Sequence, residues 1–173
     1  ILTPPASQTL CEGGRATFNV IAAGTDRTFQ WRHNGTSITG ARDSFLVITS
    51  VRPEDAGTYD VIIGGACPPA VTSAAAMLTV NTRPRITVQP IGDTICVGDP
   101  ATLRVTASGT SVTYQWQHDG SDIVGATTAT LTIPIADAAK GGSYRVIVSG
   151  ACTPPDTSAP VPLLILPIPS ITK

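Results

Sequence analysis

The sequence is poor in the residues that carry most enzyme and metal chemistry. Its 173 residues include only two His, two Lys, four Cys and one Met. Charged residues make up 13% of the chain and the formal net charge is −1, which leaves no basic surface for a nucleic-acid backbone. No apolar run reaches the roughly 18–20 residues that span a bilayer. These shortages argue against an enzyme, a cofactor or metal site, a nucleic-acid-binding protein and a membrane-spanning one.

What the chain does contain is an internal repeat with a period of 85 residues. When the sequence is shifted by that distance without a gap, 34 of 85 positions are identical, about 40%. The identical pairs include Cys11 with Cys96, Trp31 with Trp116, Tyr59 with Tyr144, and Cys67 with Cys152. Self-similarity at a fixed period is the sequence signature of a repeat protein. We therefore predict one domain over residues 1–82, a second over 83–168, and the start of a third repeat at 169–173.

The third repeat start and the missing initiator Met lead us to expect that this chain is part of a longer array of repeats.

Within each repeat, apolar and polar residues alternate and turn residues recur every 8–12 positions, a pattern typical of β-strands. In repeat one the predicted strands are 16–22, 28–33, 45–48, 59–63 and 76–80. The dipeptides Asn34-Gly35 and Asp119-Gly120 favour type I′ hairpin turns. No segment shows a clear helical stripe, so we predict an all-β chain.

Two features of repeat one carry a family resemblance. Trp31 follows Val20 by eleven positions, and the run Asp55-Ala56-Gly57-Thr58-Tyr59 is similar to the D-x-G-x-Y signature. Each repeat therefore resembles an immunoglobulin-like (Ig-like) domain, of the kind found in tandem in large bacterial extracellular proteins. The resemblance implies two Ig-like β-sandwich domains arranged end to end. It also implies a buried Trp31 and a Tyr59 hydroxyl that bonds to the backbone at a strand corner.

Repeat two departs from the signature in one place. Trp116 and Tyr144 are present, but Lys140 stands where repeat one has Asp55. From the resemblance, we expect this corner to be less well fixed in repeat two.

Vertebrate-type Ig domains carry a Cys at each of two core positions that are valine in this sequence. These valines are Val20 and Val61 in repeat one, and Val105 and Val146 in repeat two. The resemblance therefore implies an apolar, unbridged core that is stabilised by burial of its side chains.

In the fold that the resemblance implies, the two Cys of each repeat lie at opposite ends of the sandwich. They are then too far apart for a disulfide, which needs Cα atoms within about 7 Å. We predict instead an inter-repeat bridge between Cys11 and Cys152, with Cys67 and Cys96 pairing with neighbouring repeats. Four Cys allow three complete pairings, so intradomain bridges (Cys11–Cys67 and Cys96–Cys152) and free thiols stay open as alternatives.

The remaining candidate residues have simple structural interpretations. His33 and His118 lack a second ligand at metal-binding spacing, and we expect them to be exposed strand residues. Asn34-Gly35-Thr36 fits the N-glycosylation pattern, but repeat two has Asp119 in place of the Asn. Phe45 is the one aromatic residue that we do not assign to the core, and repeat two has Thr130 there.

These observations predict a non-enzymatic structural repeat of an extracellular or cell-surface fibre, stalk or adhesin. Inter-repeat disulfides would stiffen it, and copies could assemble into a filament. Its expected partners are neighbouring Ig-like repeats of the same polypeptide and further copies of the chain. The alternative is a recognition module of a cell-surface adhesin that binds a surface glycan or a protein ligand.

Overall fold

The computed structural model describes residues 1–169, which form two units of the same architecture. The first unit is Ile1–Thr82 and the second begins at Arg83. Among the described residues, the regular elements are β-strands and two single-turn 3₁₀ helices, Pro53–Asp55 and Ala138–Lys140, which confirms the all-β prediction. No helix in this part of the chain is long and apolar enough to cross a membrane. Apart from Pro169, the predicted third repeat (169–173) lies outside the described residues.

Unit 1 is a two-layer sandwich of short strands. These are β1 (Gln8–Cys11), β2 (Ala16–Asn19), β3 (Thr28–His33), β4 (Thr36–Ser37), β5 (Phe45–Ile48), β6 (Gly57–Gly64), β7 (Val71–Thr72) and β8 (Ala76–Asn81). One sheet has the order β1-β8-β6-β3-β4, with β7 paired to β6. In the other layer β2 pairs with β5. All pairs are antiparallel except β1 with β8, which is parallel.

Unit 2 repeats this topology. Its strands are β9 (Arg85–Val88), β10 (Asp93–Cys96), β11 (Ala101–Arg104), β12 (Thr106–Ser108), β13 (Thr113–His118), β14 (Ser121–Asp122), β15 (Thr130–Ile133), β16 (Gly142–Ser149), β17 (Asp156–Thr157) and β18 (Val161–Leu166). The larger sheet has the order β10-β18-β16-β13-β14, with β17 paired to β16, and β11 pairs with β15 in the other layer. Strand β9 pairs with β12. The counterpart of that ladder in unit 1 is the single bridge between Thr3 and Ile21.

The two hairpin turns form as predicted. Asn34 and Gly35 have φ angles of 49° and 79°, and Asp119 and Gly120 have 48° and 83°. Two consecutive positive φ angles define a type I′ turn, whose twist matches the twist of the strands that it joins.

The core of each unit lies between its two layers. Along β6, Tyr59, Val61 and Ile63 alternate with less buried residues and pack in one core cluster with Trp31 of the neighbouring strand β3 and Phe18 of β2 in the other layer. In unit 2 the same places are taken by Tyr144, Val146 and Val148, packed with Trp116 and Leu103.

The valines that replace the family's core cysteines are buried. Val20 and Val61 are 4% and 0% exposed, and Val105 and Val146 are 5% and 0% exposed. Apolar burial, at roughly 25 cal/mol per Å², therefore takes the place of a core disulfide.

Candidate functional site: the cysteine-bearing ends of each unit

The two cysteines of unit 1 lie at opposite ends of its larger sheet. Cys11 ends β1, beside Asn81 at the end of β8. Because Leu78 of β8 lies opposite Gly57, the first residue of β6, Cys11 lies beyond the start of β6. Cys67 follows the other end of β6. The eight residues of that strand extend about 23 Å, more than three times the reach of a disulfide.

Unit 2 has the same geometry. Cys96 ends β10 beside Leu166 of β18, beyond the position where Leu163 lies opposite Gly142. Cys152 follows the far end of β16. The length of β16 therefore separates the two cysteines, as β6 does in unit 1.

The states of the four cysteines agree with this separation. Cys67 and Cys96 are free, exposed thiols. The alternative of intradomain bridges is therefore wrong, because each of those bridges needs one of these two residues. Cys11 and Cys152 are each disulfide-bonded, and Cys152 is buried. The pairing of Cys11 with Cys152 stays a prediction.

The end of unit 1 that carries Cys67 also contains a cavity of about 410 Å³, which we call the Cys67 groove. One wall is the turn at Gly24 and Thr25, and the other is the loop Gly64–Cys67 that leaves β6. The backbone amide of Ala66 donates a hydrogen bond to the carbonyl oxygen of Thr25 at 3.1 Å, which holds the two walls together.

The signature tyrosines close the strand corner at the opposite end of each unit. The Tyr59 hydroxyl donates to the carbonyl oxygen of Asp55 at 2.8 Å, and the Tyr144 hydroxyl donates to that of Lys140 at 2.7 Å. The acceptor is a backbone carbonyl in both units. Replacing Asp55 by Lys140 therefore leaves the bond in place, and the expected weakening of the second corner is not seen in it.

Burial changes the acidity of these two hydroxyls. Desolvation, together with the nearby Asp55 carboxylate, raises the pKa of Tyr59 to about 12. Desolvation, followed by the charges of Asp119 and Asp137, also raises the pKa of Tyr144. Both hydroxyls therefore stay protonated, as hydrogen-bond donors, well above neutral pH.

The two histidines are packing residues. The expectation that they are simply exposed is wrong, because both are half-buried. The ring of His33 stacks on Tyr59 with centroids 4.6 Å apart, and His118 stacks on Tyr144 at 4.5 Å. Among the described residues, no group of three or more His, Cys, Asp or Glu side chains is placed to hold a metal ion.

Unit 2 lacks the glycosylation pattern at Asn34 and the aromatic residue Phe45, which Asp119 and Thr130 replace, although the hydrogen bond made by Asn34 is kept. The side-chain oxygen of Asn34 accepts a hydrogen bond from the Thr58 amide at 2.9 Å, and Asp119 accepts the same bond from Ser143 at 2.8 Å. The Asn of the glycosylation pattern is thus used to fix the hairpin. Phe45 is 49% exposed on β5.

Comparison with known proteins matches both units of the chain to the same family model. The immunoglobulin domain model matches residues 1–63 and again 83–149. Domains of this family are typically non-enzymatic structural or adhesion modules.

Two curated relatives match most of this chain, which spans only a small part of their own length. "Muscle M-line assembly protein unc-89" of Caenorhabditis elegans is 28% identical over 171 residues, which is 87% of this chain and 2% of that protein. "Endoglucanase C" of Cellulomonas fimi is 28% identical over 159 residues, which is 85% of this chain and 14% of that protein. Among solved structures, an I-band fragment of titin aligns with a TM-score of 0.75 at 17% identity, covering 96% of this chain and 67% of that one. That structural likeness shows the fold.

Proposed function

The chain belongs to the immunoglobulin domain family, and we propose that its two units are structural repeats of a larger secreted or cell-surface protein of the bacterial type. The observation that carries the proposal is the placement of the cysteines. Each unit has one at either end of its larger sheet, too far apart to bond within the unit. Cysteines placed in this way are suited to joining successive repeats of a fibre, stalk or adhesin.

The specific connection that we propose is a disulfide between Cys11 and Cys152. Two facts support it: Cys67 and Cys96 are free, and the other two cysteines are disulfide-bonded. By the 85-residue period, Cys67 is the counterpart of Cys152 and Cys96 is the counterpart of Cys11. Cys67 would then bond to a preceding repeat and Cys96 to a following one, or each to a further copy of the chain in a filament.

A disulfide also supports the proposed location outside the cell. Structural disulfides form and persist in oxidising compartments and are rare in the reducing cytosol. Low Lys content, two residues in 173, agrees with an exposed, protease-resistant surface. We infer no catalytic role for these two units, since the relative named an endoglucanase is matched over only 14% of its length.

Solution scattering of the full chain tests the mechanical part of the proposal. The oxidised protein should behave as one stiff particle, since a second covalent connection beside the single backbone link restricts bending. Cys11→Ser should give a broader distribution of sizes, whereas Cys67→Ser, the matched control, should leave the scattering unchanged. Equal flexibility of the oxidised protein and Cys11→Ser would contradict the proposal.

One observation favours the alternative, a recognition module for a glycan or a protein. Phe45 presents an aromatic ring, 49% exposed, of the kind that can stack on a sugar or anchor a protein contact. Screening the full chain and Phe45→Ala against glycan and protein arrays tests it. Binding that is lost in Phe45→Ala would favour recognition over a purely structural role.

A further inference from the structure

The Cys67 groove of unit 1 has a counterpart in unit 2 with the same walls. There the amide of Ala151 donates to the carbonyl oxygen of Thr110 at 2.9 Å, as Ala66 does to Thr25 in unit 1. Gly109 has a φ of 137°, close to the 130° of its counterpart Gly24. The two copies of the groove therefore have the same backbone frame.

In unit 2 a dipeptide of the chain occupies this space. A methyl group placed on Gly109 would lie 2.9 Å from the carbonyl oxygen of Arg83 and 2.9 Å from Cα of Pro84. One placed on Gly150, on the opposite wall, would lie 3.5 Å from Cδ of Pro84. Pro84 is buried. The Arg83-Pro84 backbone thus approaches both walls, and Gly109 allows the approach because it has no side chain.

In unit 1 the equivalent glycines, Gly24 and Gly65, meet no such dipeptide. A methyl group on Gly24 would meet only the Arg27 side chain, at 3.8 Å, and one on Gly65 would meet only the Thr25 carbonyl oxygen, at 3.2 Å. The groove in unit 1 therefore keeps the shape that accepts a dipeptide, without having one in it.

We propose that the Cys67 groove receives a residue-proline dipeptide that lies just ahead of Ile1 in a longer polypeptide, as the end of a preceding repeat. The register of unit 2 specifies it, because Arg83-Pro84 is separated by one residue from Ile86, the counterpart of Ile1. The chain carries the same element 85 residues later, at Ile168-Pro169. Both dipeptides, Arg83-Pro84 and Ile168-Pro169, contain proline, but the residue before the proline differs between them. The groove therefore recognises the proline ring and the backbone of the dipeptide. This inference rests on the proposed array of repeats.

The test uses the full chain with five residues added before Ile1. One variant carries a copy of residues 81–85, Asn-Thr-Arg-Pro-Arg. The matched control has Gly-Ser in place of Arg-Pro. In ¹⁵N-labelled protein, the Arg-Pro extension should shift the amide resonances of Gly24, Gly65 and Ala66 and raise the unfolding midpoint of unit 1. The Gly-Ser extension should do neither, and identical behaviour of the two extensions would overturn the proposal.

A substitution in the groove adds an independent control. Gly24→Ala places a methyl group where the counterpart position meets the dipeptide at 2.9 Å. It should abolish the stabilisation given by the Arg-Pro extension, after its own cost is measured in the unextended chain. If Gly24→Ala does not fold, the comparison of the two extensions still decides. Groove binding and the Cys11–Cys152 bridge are read out separately, so one can fail while the other holds.

Discussion

At the scale of single residues, the signature tyrosine ties its strand corner to the core. Tyr59 is 2% exposed and its ring stacks on Phe18 with centroids 4.7 Å apart, while its hydroxyl bonds to the Asp55 carbonyl. Tyr59→Phe keeps the packing and removes one hydrogen bond, so we expect a loss of about 1–2 kcal/mol in unfolding free energy. Urea unfolding of the full chain measures it, and Tyr144→Phe should cost a similar amount in unit 2. An unchanged midpoint for both variants would show that the corner bond contributes nothing.

The raised tyrosine pKa values predict a loss of stability in alkali. A free tyrosine ionises near pH 10, whereas Tyr59 in the folded protein has a pKa of about 12. Between those values the folded state holds the proton more tightly, so the stabilisation is fully present below pH 10 and is lost as the pH rises through 12. Unfolding free energy should therefore fall over that range. The fall should be smaller in Tyr59→Phe, and an equal fall in both proteins would contradict the assignment to this residue.

At the scale of strands and turns, the alternation of apolar and polar residues predicted the central strands but not all of the residues at which strands begin and end. The predicted strands 28–33 and 45–48 have the bounds that the structure shows. Strand β6 begins at Gly57, two residues before the predicted start at Tyr59. Its backbone pairing with β8 includes Gly57 and Thr58, which lie ahead of the first core side chain of the strand. The predicted strand 16–22 breaks after Asn19, where Ile21 bridges to Thr3 instead. Alternation of apolar and polar residues indicates which side chains are buried. It does not locate these strand ends, because they are set by backbone pairing between strands.

The candidate site was also predicted only in part. The sequence and its family resemblance identified the four cysteines, and the 85-residue period paired them as equivalents. Strands β1 and β10, which carry Cys11 and Cys96, were not predicted, since each is four residues long and lies at a sheet edge. The stacking of His33 on Tyr59 was also missed. Those residues are 26 positions apart and become neighbours only through the register of β3 with β6.

One pair of facing side chains on β3 and β6 differs between the repeats and allows a test of element pairing. In unit 1 the guanidinium of Arg32 makes two hydrogen bonds to the Asp60 carboxylate, at 2.7 and 2.9 Å. That carboxylate raises the pKa of Arg32. At the equivalent positions of unit 2, Arg145 donates to the side-chain oxygen of Gln117 at 2.6 Å. The direction of the bond is reversed while the strand register stays the same.

Asp60→Arg alone should lower the unfolding midpoint of unit 1, because two guanidinium groups then face each other across the sheet. Adding Arg32→Gln reproduces the pair of unit 2 and should recover part of the loss. Calorimetry of the full-length single and double variants measures both steps. No recovery in the double variant would mean that this pair does not contribute through its side-chain contact.

At the scale of the whole molecule, the proposed stiffness depends on how the cysteines connect. A Cys11–Cys152 bridge closes a loop of about 140 residues, which in the loop-entropy model stabilises the folded chain by about 3–5 kcal/mol. It would also add a covalent link between two repeats that the backbone joins only once. In an array, each repeat would then be bonded to the next through one such bridge, with the free cysteines of the first and last repeats left to continue it.

Disulfide mapping of the full chain determines directly which cysteines are bonded to each other. Free thiols are blocked first, the protein is digested without reduction, and the linked peptides are identified by mass spectrometry. We expect one linked pair that joins the peptides of Cys11 and Cys152, with the blocking group on Cys67 and Cys96. Peptides linked as Cys11–Cys67 and Cys96–Cys152 would contradict it and would make the two units independently bridged domains.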